Sequence, residues 1–209
     1  MRLKNVKGAT KIVESSPYII QNPIQYCGHF CDVFQNQNPI YIEIGMGKGN
    51  FIIENAKKYP NINFIGIEKY DSVMIRAVQK LENTELNNLK LIRIDANEIE
   101  KIFSHEIDLI YLNFSDPWPK TKHHKRRLTS PLFLETYDKI FKDEKHIVQK
   151  TDNIDLFAYS LEELSKHGYT LEKVSLDLAN EKIFNVKTEY EEKFMNLGYK
   201  INYVDARKK

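Results

Sequence analysis

Short apolar runs alternate with longer segments of mixed polarity along most of the chain. Five of these runs are rich in β-branched, leucine and aromatic residues, a pattern that predicts buried strands. They occupy residues 40–44, 63–67, 89–94, 107–113 and 146–150. Two later segments, residues 169–176 and 198–205, predict a sixth and a seventh strand.

The segments between the apolar runs have the spacing of amphipathic helices. This spacing covers residues 50–59, 74–82, 128–141 and 155–168. Ser130 is a predicted N-cap with Pro131 at the first helical position, and Gly168 marks the end of a helix. Strands and helices thus alternate at short spacing, which favours an α/β fold with a mostly parallel sheet and helices on both faces.

The chain divides into an N-terminal arm and one domain. Residues 1–38 are punctuated by prolines and predict a basic arm that packs on the domain or extends from it. Its basic residues are Arg2, Lys4, Lys7 and Lys11. The arm is either a contact for a polyanion or a disordered terminus. Residues 39–209 contain no internal repeat and no low-complexity linker, so we expect a single domain there.

Composition and cysteine usage narrow the class of protein. The net charge is only +2, so any affinity for nucleic acid has to come from local patches. The N-terminus lacks an apolar core and no apolar run approaches the length of a membrane span, so we expect a cytoplasmic protein without a membrane partner. Cys27 and Cys31 form no strong zinc pattern with their neighbours His29 and Asp32, so we expect reduced thiols and no metal site.

One proline-rich stretch combines an acidic residue with an aromatic one. Asp116 precedes Pro117 and Trp118 precedes Pro119, and each proline disfavours the helical region for the residue before it. We therefore expect an extended, restrained backbone at Asp116 and Trp118. The tryptophan is placed either to stack on an extruded base or to pack beneath the loop.

A basic run follows this stretch directly. Five of the eight residues at 120–127 are Lys or Arg, and two histidines lie among them. The run is either a solvated loop or a contact for phosphates, and the carboxylate beside it favours a site that handles a base on a phosphate-rich polymer. Lys120 begins the run, and the other residues predicted to contact RNA are Lys122, His123, His124, Lys125, Arg126 and Arg127.

Acidic residues follow five of the predicted strands. In a parallel sheet the carboxyl ends of the strands share one edge, and ligands bind there. The acidic residues at or just beyond these ends are Glu43, Glu68, Asp95, Asp116 and Asp152. Each has an ordinary explanation as a loop or cap residue, but together they predict a binding site along that edge.

A glycine turn at the same edge indicates the class of ligand. The first predicted strand leads through Gly45, Gly47 and Gly49 into a helix, as in nucleotide-binding α/β folds, although GxGxG alone is a weak signal. Glu43 lies just before this turn, where a carboxylate repels phosphate and favours a cation.

Two further acids extend this interpretation of the ligand. Glu68 lies about 20 residues beyond the glycine turn, the spacing of an acid that binds ribose hydroxyls. Asp95 is placed to accept a hydrogen bond from an adenine amino group. A ligand with ribose, adenine and positive charge but no phosphate fits S-adenosylmethionine (SAM) better than NAD or ATP.

With these motifs in order, the chain resembles the bacterial tRNA (guanine-N7)-methyltransferase family. The matching segments are EIGMGKG (43–49), GIE (66–68), DANE (95–98), SDPWPK (115–120), KRRL (125–128), TDN (151–153) and TEYE (188–191). The SDPWPK and TEYE motifs are specific, whereas the glycine turn is shared with many methyltransferases. The resemblance implies a Rossmann-like SAM-dependent methyltransferase fold with a seven-stranded sheet, and methylation of N7 of guanine 46 in the tRNA variable loop.

The same resemblance implies roles for individual residues. The implied cofactor contacts are Glu43, Gly45, Gly47, Gly49, Glu68, Asp95, Ala96 and Asp116. The implied substrate contacts are Lys120, Asp152, Thr188, Glu189, Tyr190 and Glu191. Asp116 is the implied catalytic residue. Because guanine N7 has a free lone pair and needs no deprotonation, we expect Asp116 to orient the base and stabilise charge rather than to act as a general base.

Some alternatives stay open from the residues alone. Thr188 and Glu191 also form a capping box for a helix that ends near Gly198, which is a complete structural explanation of that motif. Rival functions are an enzyme of the same fold acting on another RNA, a small molecule or a protein, a non-catalytic RNA-binding protein, and an NAD-dependent dehydrogenase. The basic run disfavours an enzyme that acts on a small substrate. The complete set of acidic residues disfavours an RNA-binding protein that has lost catalysis. The GxGxG turn together with Glu43 disfavours an NAD-dependent dehydrogenase. A monomer and a homodimer are both compatible with the sequence.

Overall fold

The protein has seven strands in one sheet. The computed structural model describes residues 6–183 and 185–209. The strands are β1 (Ile40–Ile44), β2 (Asn63–Glu68), β3 (Leu89–Arg93), β4 (Leu109–Asn113), β5 (Lys145–Thr151), β6 (Thr170–Ser175) and β7 (Asn202–Lys208). They are ordered β3-β2-β1-β4-β5-β7-β6. All seven predicted strands are therefore confirmed, with shifts at their ends.

The sheet is mostly parallel, as predicted. β1 pairs in parallel with β2 and β4, and the parallel region continues to β3 on one side and β5 on the other. β7 is antiparallel to both of its neighbours, β5 and β6. The carboxyl ends of β1 to β5 consequently lie at one edge of the sheet, and the connections that leave this edge are the ones that can build a site.

Seven α-helices accompany the sheet in the described residues. They are α1 (Ala9–Ser15), α2 (Phe30–Phe34), α3 (Asn50–Lys58), α4 (Asp71–Leu81), α5 (Pro131–Ile140), α6 (Ile154–Lys166) and α7 (Glu189–Asn196). Pro131 is the first residue of α5 as predicted, but the Ser130 hydroxyl makes no cap bond and instead donates to the Lys125 carbonyl at 3.1 Å. None of the helices in these residues is long and apolar enough to cross a membrane.

The two faces of the sheet carry separate apolar cores. Residues of α2, α5 and α6 pack against one face, which includes the buried Ile42 and Ile110. Residues of α1, α3 and α4 pack against the other, which includes Phe64 and Leu91. This arrangement confirms helices on both faces, and it follows from the alternation of side chains along each strand.

The described part of the N-terminal arm is packed on the domain. Ile20 donates its amide to the Leu91 carbonyl at 3.0 Å, and Ile19 forms an isolated parallel bridge with Leu91, which lies on β3. The Thr10 hydroxyl donates to Asp71 at the start of α4 at 2.7 Å. The basic residues Arg2 and Lys4 lie outside the described residues. The division of the chain at residue 38 stays a prediction.

Candidate functional site

A narrow pocket of about 60 Å³ opens at the carboxyl ends of β1 and β4. The glycine turn after β1 forms one wall, and Asn113 and Phe114 at the end of β4 form another. The third wall comes from residues 188–190, at the start of α7. The sheet edge predicted from the sequence is thus a concave site with contributions from distant parts of the chain.

The three glycines of the turn have backbone angles that favour glycine. Gly45, Gly47 and Gly49 have φ values of 78°, 58° and 76°, in the left-handed region. A Cβ on Gly49 would lie 2.7 Å from the Ala77 side chain, so this glycine lets α3 approach α4. Cβ atoms on the other two would meet nothing within 4 Å, which leaves the backbone of the turn open to a ligand.

Glu43 is the most unusual ionisable group of the pocket. Its side chain is buried, and one carboxylate oxygen accepts a hydrogen bond from Asn113 Nδ2 at 2.8 Å. The other oxygen, Oε2, has no hydrogen-bond partner among the described residues. Burial raises the pKa of Glu43 to about 7, against the opposing effects of Asn113 and the charge of Lys150. A buried carboxylate with a vacant acceptor is suited to a cationic ligand.

Glu68 supports the glycine turn from β2. Its carboxylate accepts the backbone N–H groups of Gly47 at 3.1 Å, Lys69 at 2.8 Å and Tyr70 at 3.0 Å. Burial raises the pKa of Glu68, and these three bonds oppose that rise. Because a carboxylate has about four acceptor positions, one remains for a hydroxyl of a ligand. The residue therefore has a structural role, and the ribose contact stays a prediction.

Asp95 differs from the other acids of this edge because its charge is already compensated. It is the N-cap of a short 3₁₀ helix that begins at Ala96, and it accepts the Asn97 amide at 3.0 Å. Lys69 pairs with it at 2.5 Å. The hydrogen bond from Lys69 comes first among the causes that hold the pKa of Asp95 below its usual range. The predicted adenine contact would use a carboxylate that is held in a fixed orientation.

Asp116 and Asp152 lie at the outer part of the same edge. Asp116 is exposed, and its charge contributes to the raised pKa of Glu68, which places the two carboxylates in one electrostatic environment. Asp152 is half-buried directly after β5. The five acids predicted to share an edge all follow parallel strands, and electrostatic coupling links Glu43 to Glu68 and Glu68 to Asp116.

The proline-rich loop has a different backbone from the one predicted. Trp118 has a φ of 42°, in the left-handed region, so the expectation of an extended backbone at this residue is wrong. Arg127 supplies the physical reason, because its guanidinium donates to the Pro117 carbonyl at 2.9 Å and to the Trp118 carbonyl at 3.4 Å. These bonds fix the direction of both carbonyls and so stabilise a conformation that Pro119 alone disfavours.

The position of the Arg127 side chain also differs from the prediction that it contacts phosphate. Its side chain is only 4% exposed, and its guanidinium lies 4.4 Å from the centre of the Tyr159 ring. An arginine that faces inward and binds two carbonyls is not available to a polyanion. Arg127 therefore braces the loop that carries Asp116, and this correction removes it from the predicted RNA-binding set.

The rest of the basic run forms an exposed surface. Residues Thr121–Arg126 form a 3₁₀ helix, and the exposed cations on it or beside it are Lys120, Lys122, Lys125 and Arg126. The Arg126 guanidinium lies 4.9 Å from the Trp118 ring, and the His123 ring meets the same indole edge-on at 5.8 Å. His124 packs on Tyr159 at 5.5 Å. The tryptophan thus packs within its own loop while staying partly exposed.

Residues 188–191 form both a helix cap and a wall of the pocket. The predicted capping box at the start of α7 is confirmed, with the Thr188 hydroxyl accepting the Glu191 amide at 2.9 Å. Glu189 pairs with Lys48 of the glycine turn at 2.8 Å and with Lys80 of α4 at 2.6 Å. Tyr190 is 52% exposed and stacks on Phe114 with a centroid separation of 6.3 Å.

Several site residues were not found by sequence reasoning. Asn113 holds the Glu43 carboxylate, and Phe114 supports Tyr190. Lys150 on β5 is fully buried and pairs with Glu191 at 2.8 Å. The strand that carries Lys150, Lys145–Thr151, has only two apolar residues, Ile147 and Val148, so no signal in the sequence indicated that this lysine is buried. Among the described residues, no group of three or more His, Cys, Asp or Glu side chains is arranged to hold a metal ion.

Comparisons with known proteins agree with this geometry. Residues 37–204 match a family model described as "Putative methyltransferase". The chain is 48% identical to a tRNA (guanine-N(7)-)-methyltransferase of Lachnoclostridium phytofermentans, over 99% of this chain and 98% of that protein. It is 50% identical to the protein of the same name from a Geobacillus species, over 96% of this chain and 93% of that one.

A solved structure gives independent support for the fold. The structure of an antibiotic-related methyltransferase has a TM-score of 0.65 with this chain, and the match covers 86% of this chain and 92% of the other. The two sequences are only 20% identical, so this likeness concerns the fold alone. It agrees with the predicted Rossmann-like methyltransferase architecture and its seven-stranded sheet.

Proposed function

The chain belongs to the tRNA (guanine-N7)-methyltransferase family, and on that premise we propose that it methylates N7 of guanine 46 in the tRNA variable loop with SAM as the donor. The observation that carries the proposal is the pocket beside the glycine turn, where Glu43 presents a buried carboxylate oxygen without a partner among the described residues. The exposed basic surface beside Asp116 supports RNA as the substrate.

The residues of the pocket, together with those at the neighbouring ends of β2 and β3, suit a cationic nucleoside such as SAM. Glu43 would hold a positively charged group, and the open backbone at Gly45 and Gly47 permits close approach of a ligand. Glu68 retains an acceptor for a ribose hydroxyl, and Asp95 with Ala96 would border the adenine. The pocket offers carboxylates where a phosphate-bearing ligand needs donors, which disfavours NAD and ATP.

The proposed chemistry places few demands on proton transfer. When bound, SAM supplies a methyl group activated by its sulfonium charge. The lone pair of guanine N7 forms the new bond as the carbon–sulfur bond breaks, so positive charge moves to the base and no proton has to leave N7. The protein's task is therefore alignment and electrostatic stabilisation.

Asp116 is the proposed catalytic residue in this scheme. Its exposed carboxylate lies on the rim beside Glu68, and the braced loop holds its backbone in place. We assign it two tasks, which are to accept hydrogen bonds from N1–H and the N2 amino group of guanine, and to stabilise the charge that develops on the base. Neither task requires it to take up a proton.

The substrate side is formed by the basic run and the start of α7. The exposed cations of the basic run have no buried ion-pair partner among the described residues, so they are placed to contact phosphates. They are Lys120, Lys122, Lys125 and Arg126. Residues 188–190 line the pocket, and Asp152 lies directly after β5 at the same edge of the sheet. Together with Glu191 they are the proposed contacts for the guanosine.

The test is methyl transfer from labelled SAM to unmodified tRNA, followed by cleavage at 7-methylguanine. A single cleavage in the variable loop is the expected result. Asp116→Asn should lower kcat by ~10²-fold because it removes charge stabilisation and one acceptor while preserving shape. Asp143→Asn, on a surface turn before β5, is the matched control and should keep normal turnover. Methylation at another base, or normal turnover in Asp116→Asn, would refute the proposal.

A further inference from the structure

The segment 185–191, which we term the strap, is held from two sides of the pocket. Its residues 188–190 line the pocket itself. On the side of the glycine turn, Glu189 pairs with Lys48 and Lys80, but Lys48 is more than half exposed. Exposed ion pairs are weak and are screened by salt. The fully buried attachment of the strap is on the other side, since both pairs of Glu189 are at least partly exposed.

Lys150 provides that attachment. Its ammonium donates to Asn185 Oδ1 at 2.9 Å, to the Val186 carbonyl at 2.9 Å and to Glu191 Oε2 at 2.8 Å. An ammonium group has three donors, so every one is used and all three acceptors belong to the strap. Asn185 also donates to the second oxygen of Glu191, which closes the network.

Burial makes this network sensitive to the loss of a member. The side chains of Lys150 and Glu191 are each 2% exposed, and the ammonium lies 4.6 Å from the Phe51 ring. Burial lowers the pKa of Lys150, and the charges of Glu191 and Glu43 oppose that effect. The lysine thus binds the strap and also interacts electrostatically with the carboxylate that we propose for cofactor binding.

We propose that Lys150 is a positioning residue for the transfer reaction, which holds the strap in the place where it receives the target guanosine. The inference rests on the proposed function for the role of the strap in substrate binding. Because Lys150 is covered by the strap, it acts through Thr188, Tyr190 and Glu191 rather than by touching the substrate. Loosening this attachment should weaken the use of tRNA more than the binding of SAM.

The experiment compares Glu191→Gln with the double variant Lys150→Met/Glu191→Gln. Glutamine keeps the capping box, and in Glu191→Gln the ammonium still has the Asn185 and Val186 oxygens as acceptors. The double variant removes both charges of the buried pair, whereas Lys150→Met alone would leave the Glu191 carboxylate buried and unpaired. We therefore expect both chosen variants to fold. In Glu191→Gln the amide oxygen can take the place of Oε2, which accepts from both the Thr188 amide and Lys150, so the strap keeps its contacts with Lys150. The difference between the two variants therefore reports on Lys150 itself. Lys166→Met, an exposed lysine on α6, is the control.

We expect the double variant to have a KM for tRNA ~10-fold above that of Glu191→Gln, since small displacements of positioning groups have effects of this size or larger. kcat should stay within about threefold. The Kd for SAM should rise less than the KM for tRNA, because Lys150 affects Glu43 only through its charge. Amide hydrogen exchange at 186–191 should accelerate by at least ~10-fold, while that of Ile147 and Val148 on β5 stays unchanged.

The outcomes separate this inference from the proposed function. A double variant that melts at a lower temperature but keeps the KM of Glu191→Gln would overturn the inference, because Lys150 would then be merely structural. Unchanged exchange at the strap would overturn it as well. If the unaltered protein does not methylate tRNA, the proposed function fails, whereas the exchange measurement needs no RNA and still decides whether Lys150 holds the strap.

Discussion

Replacing Glu43 by glutamine should stabilise the fold at neutral and alkaline pH while it impairs SAM binding. The ordinary pKa of this carboxyl is near 4.5, and burial raises it to about 7. A group whose pKa is higher in the folded state binds its proton more tightly there. The stability that this proton provides is fully present below the unfolded pKa and is lost as the pH rises through 7.

The size of the effect follows from the two pKa values. At ~1.4 kcal/mol per unit, the shift from 4.5 to about 7 corresponds to a cost of ~3 kcal/mol for ionised Glu43 at alkaline pH. Glutamine has nearly the same shape and stays neutral. The new amide can donate to Asn113 Oδ1, a buried oxygen without a partner among the described residues, once the Asn113 amide turns over. We therefore expect a gain of ~1–3 kcal/mol at pH ~8.

Urea unfolding at several pH values between about 5 and about 8 measures this difference. The free energies of unfolding of the two proteins should approach each other at the acidic end, diverge as the pH rises from about 5 to about 7, and keep a constant difference above that. Glu54→Gln on the exposed face of α3 is the matched control, and its difference from the original protein should not depend on pH in this way. Each variant is compared with the original protein at the same pH, so the contributions of other titrating groups to the free energy of unfolding cancel.

SAM binding gives the second half of the test. Removal of the carboxylate should weaken binding by ~10-fold or more, because a hydrogen bond or contact with a charged group is lost. In the unaltered protein, affinity should rise as Glu43 ionises, and this dependence should vanish in the variant. Calorimetry measures both. If the two free energies of unfolding differed by the same amount at every pH and SAM affinity were unchanged, the assignment of Glu43 as a buried carboxylate that binds a cation would be refuted.

Three further predictions concern the loop, the cap and the basic surface. Arg127→Met should lower the free energy of unfolding by ~2 kcal/mol and reduce kcat, because two carbonyls lose a charged donor. Urea unfolding and a methyl-transfer assay measure these two effects. Arg126→Met is the control and should leave the free energy of unfolding nearly unchanged. Thr188→Ala should cost ~1 kcal/mol through loss of the capping bond, seen as a lower melting temperature by circular dichroism, and an equal melting temperature would contradict it. Replacing Lys122, Lys125 and Arg126 together by glutamine should reduce the dependence of tRNA binding on salt concentration by ~3 in the logarithmic slope, and an unchanged slope in filter-binding assays would exclude phosphate contacts there.

The arrangement of the acids along the rim could be predicted because it depends only on chain order. The strands alternate with helices, so the sheet had to be mostly parallel, and every residue after a strand then lies at the same edge. Glu43 and Asp152 are placed correctly by this rule alone. The capping box at Thr188 was equally predictable, since its two bonds connect residues three positions apart.

The contacts between distant segments could not be predicted in the same way. Lys150 and Glu191 are 41 residues apart, and both are charged, so the sequence favours solvent exposure for each of them. Only the fold shows that α7 returns to cover β5. Arg127 is a similar case, since a basic run predicts one exposed surface, whereas the fold turns this single member inward against Tyr159.

The same difference explains the error at Trp118. A local rule for residues before proline predicts an extended backbone, and the rule fails where a tertiary contact outweighs it. The guanidinium of Arg127 donates to the Pro117 and Trp118 carbonyls, which flank the α-carbon of Trp118, and stabilises the unusual conformation. A strained residue supported in this way lies two positions from Asp116, which is consistent with the general occurrence of strain near functional groups.

The acids of the rim differ in whether the protein itself neutralises them, and this difference distinguishes their roles. Lys69 compensates Asp95 beyond the end of β3, and Lys48 with Lys80 compensates Glu189 in the wall of the pocket, so neither carboxylate needs a cationic ligand. Glu43 has an amide partner and an ammonium only at longer range, so its ionised form is left under-compensated. A buried carboxylate that the fold leaves in this state has a cost in stability, and a cationic ligand is what removes that cost. The location of the uncompensated charge, more than the number of acids, is therefore the argument for a sulfonium nucleoside at this position.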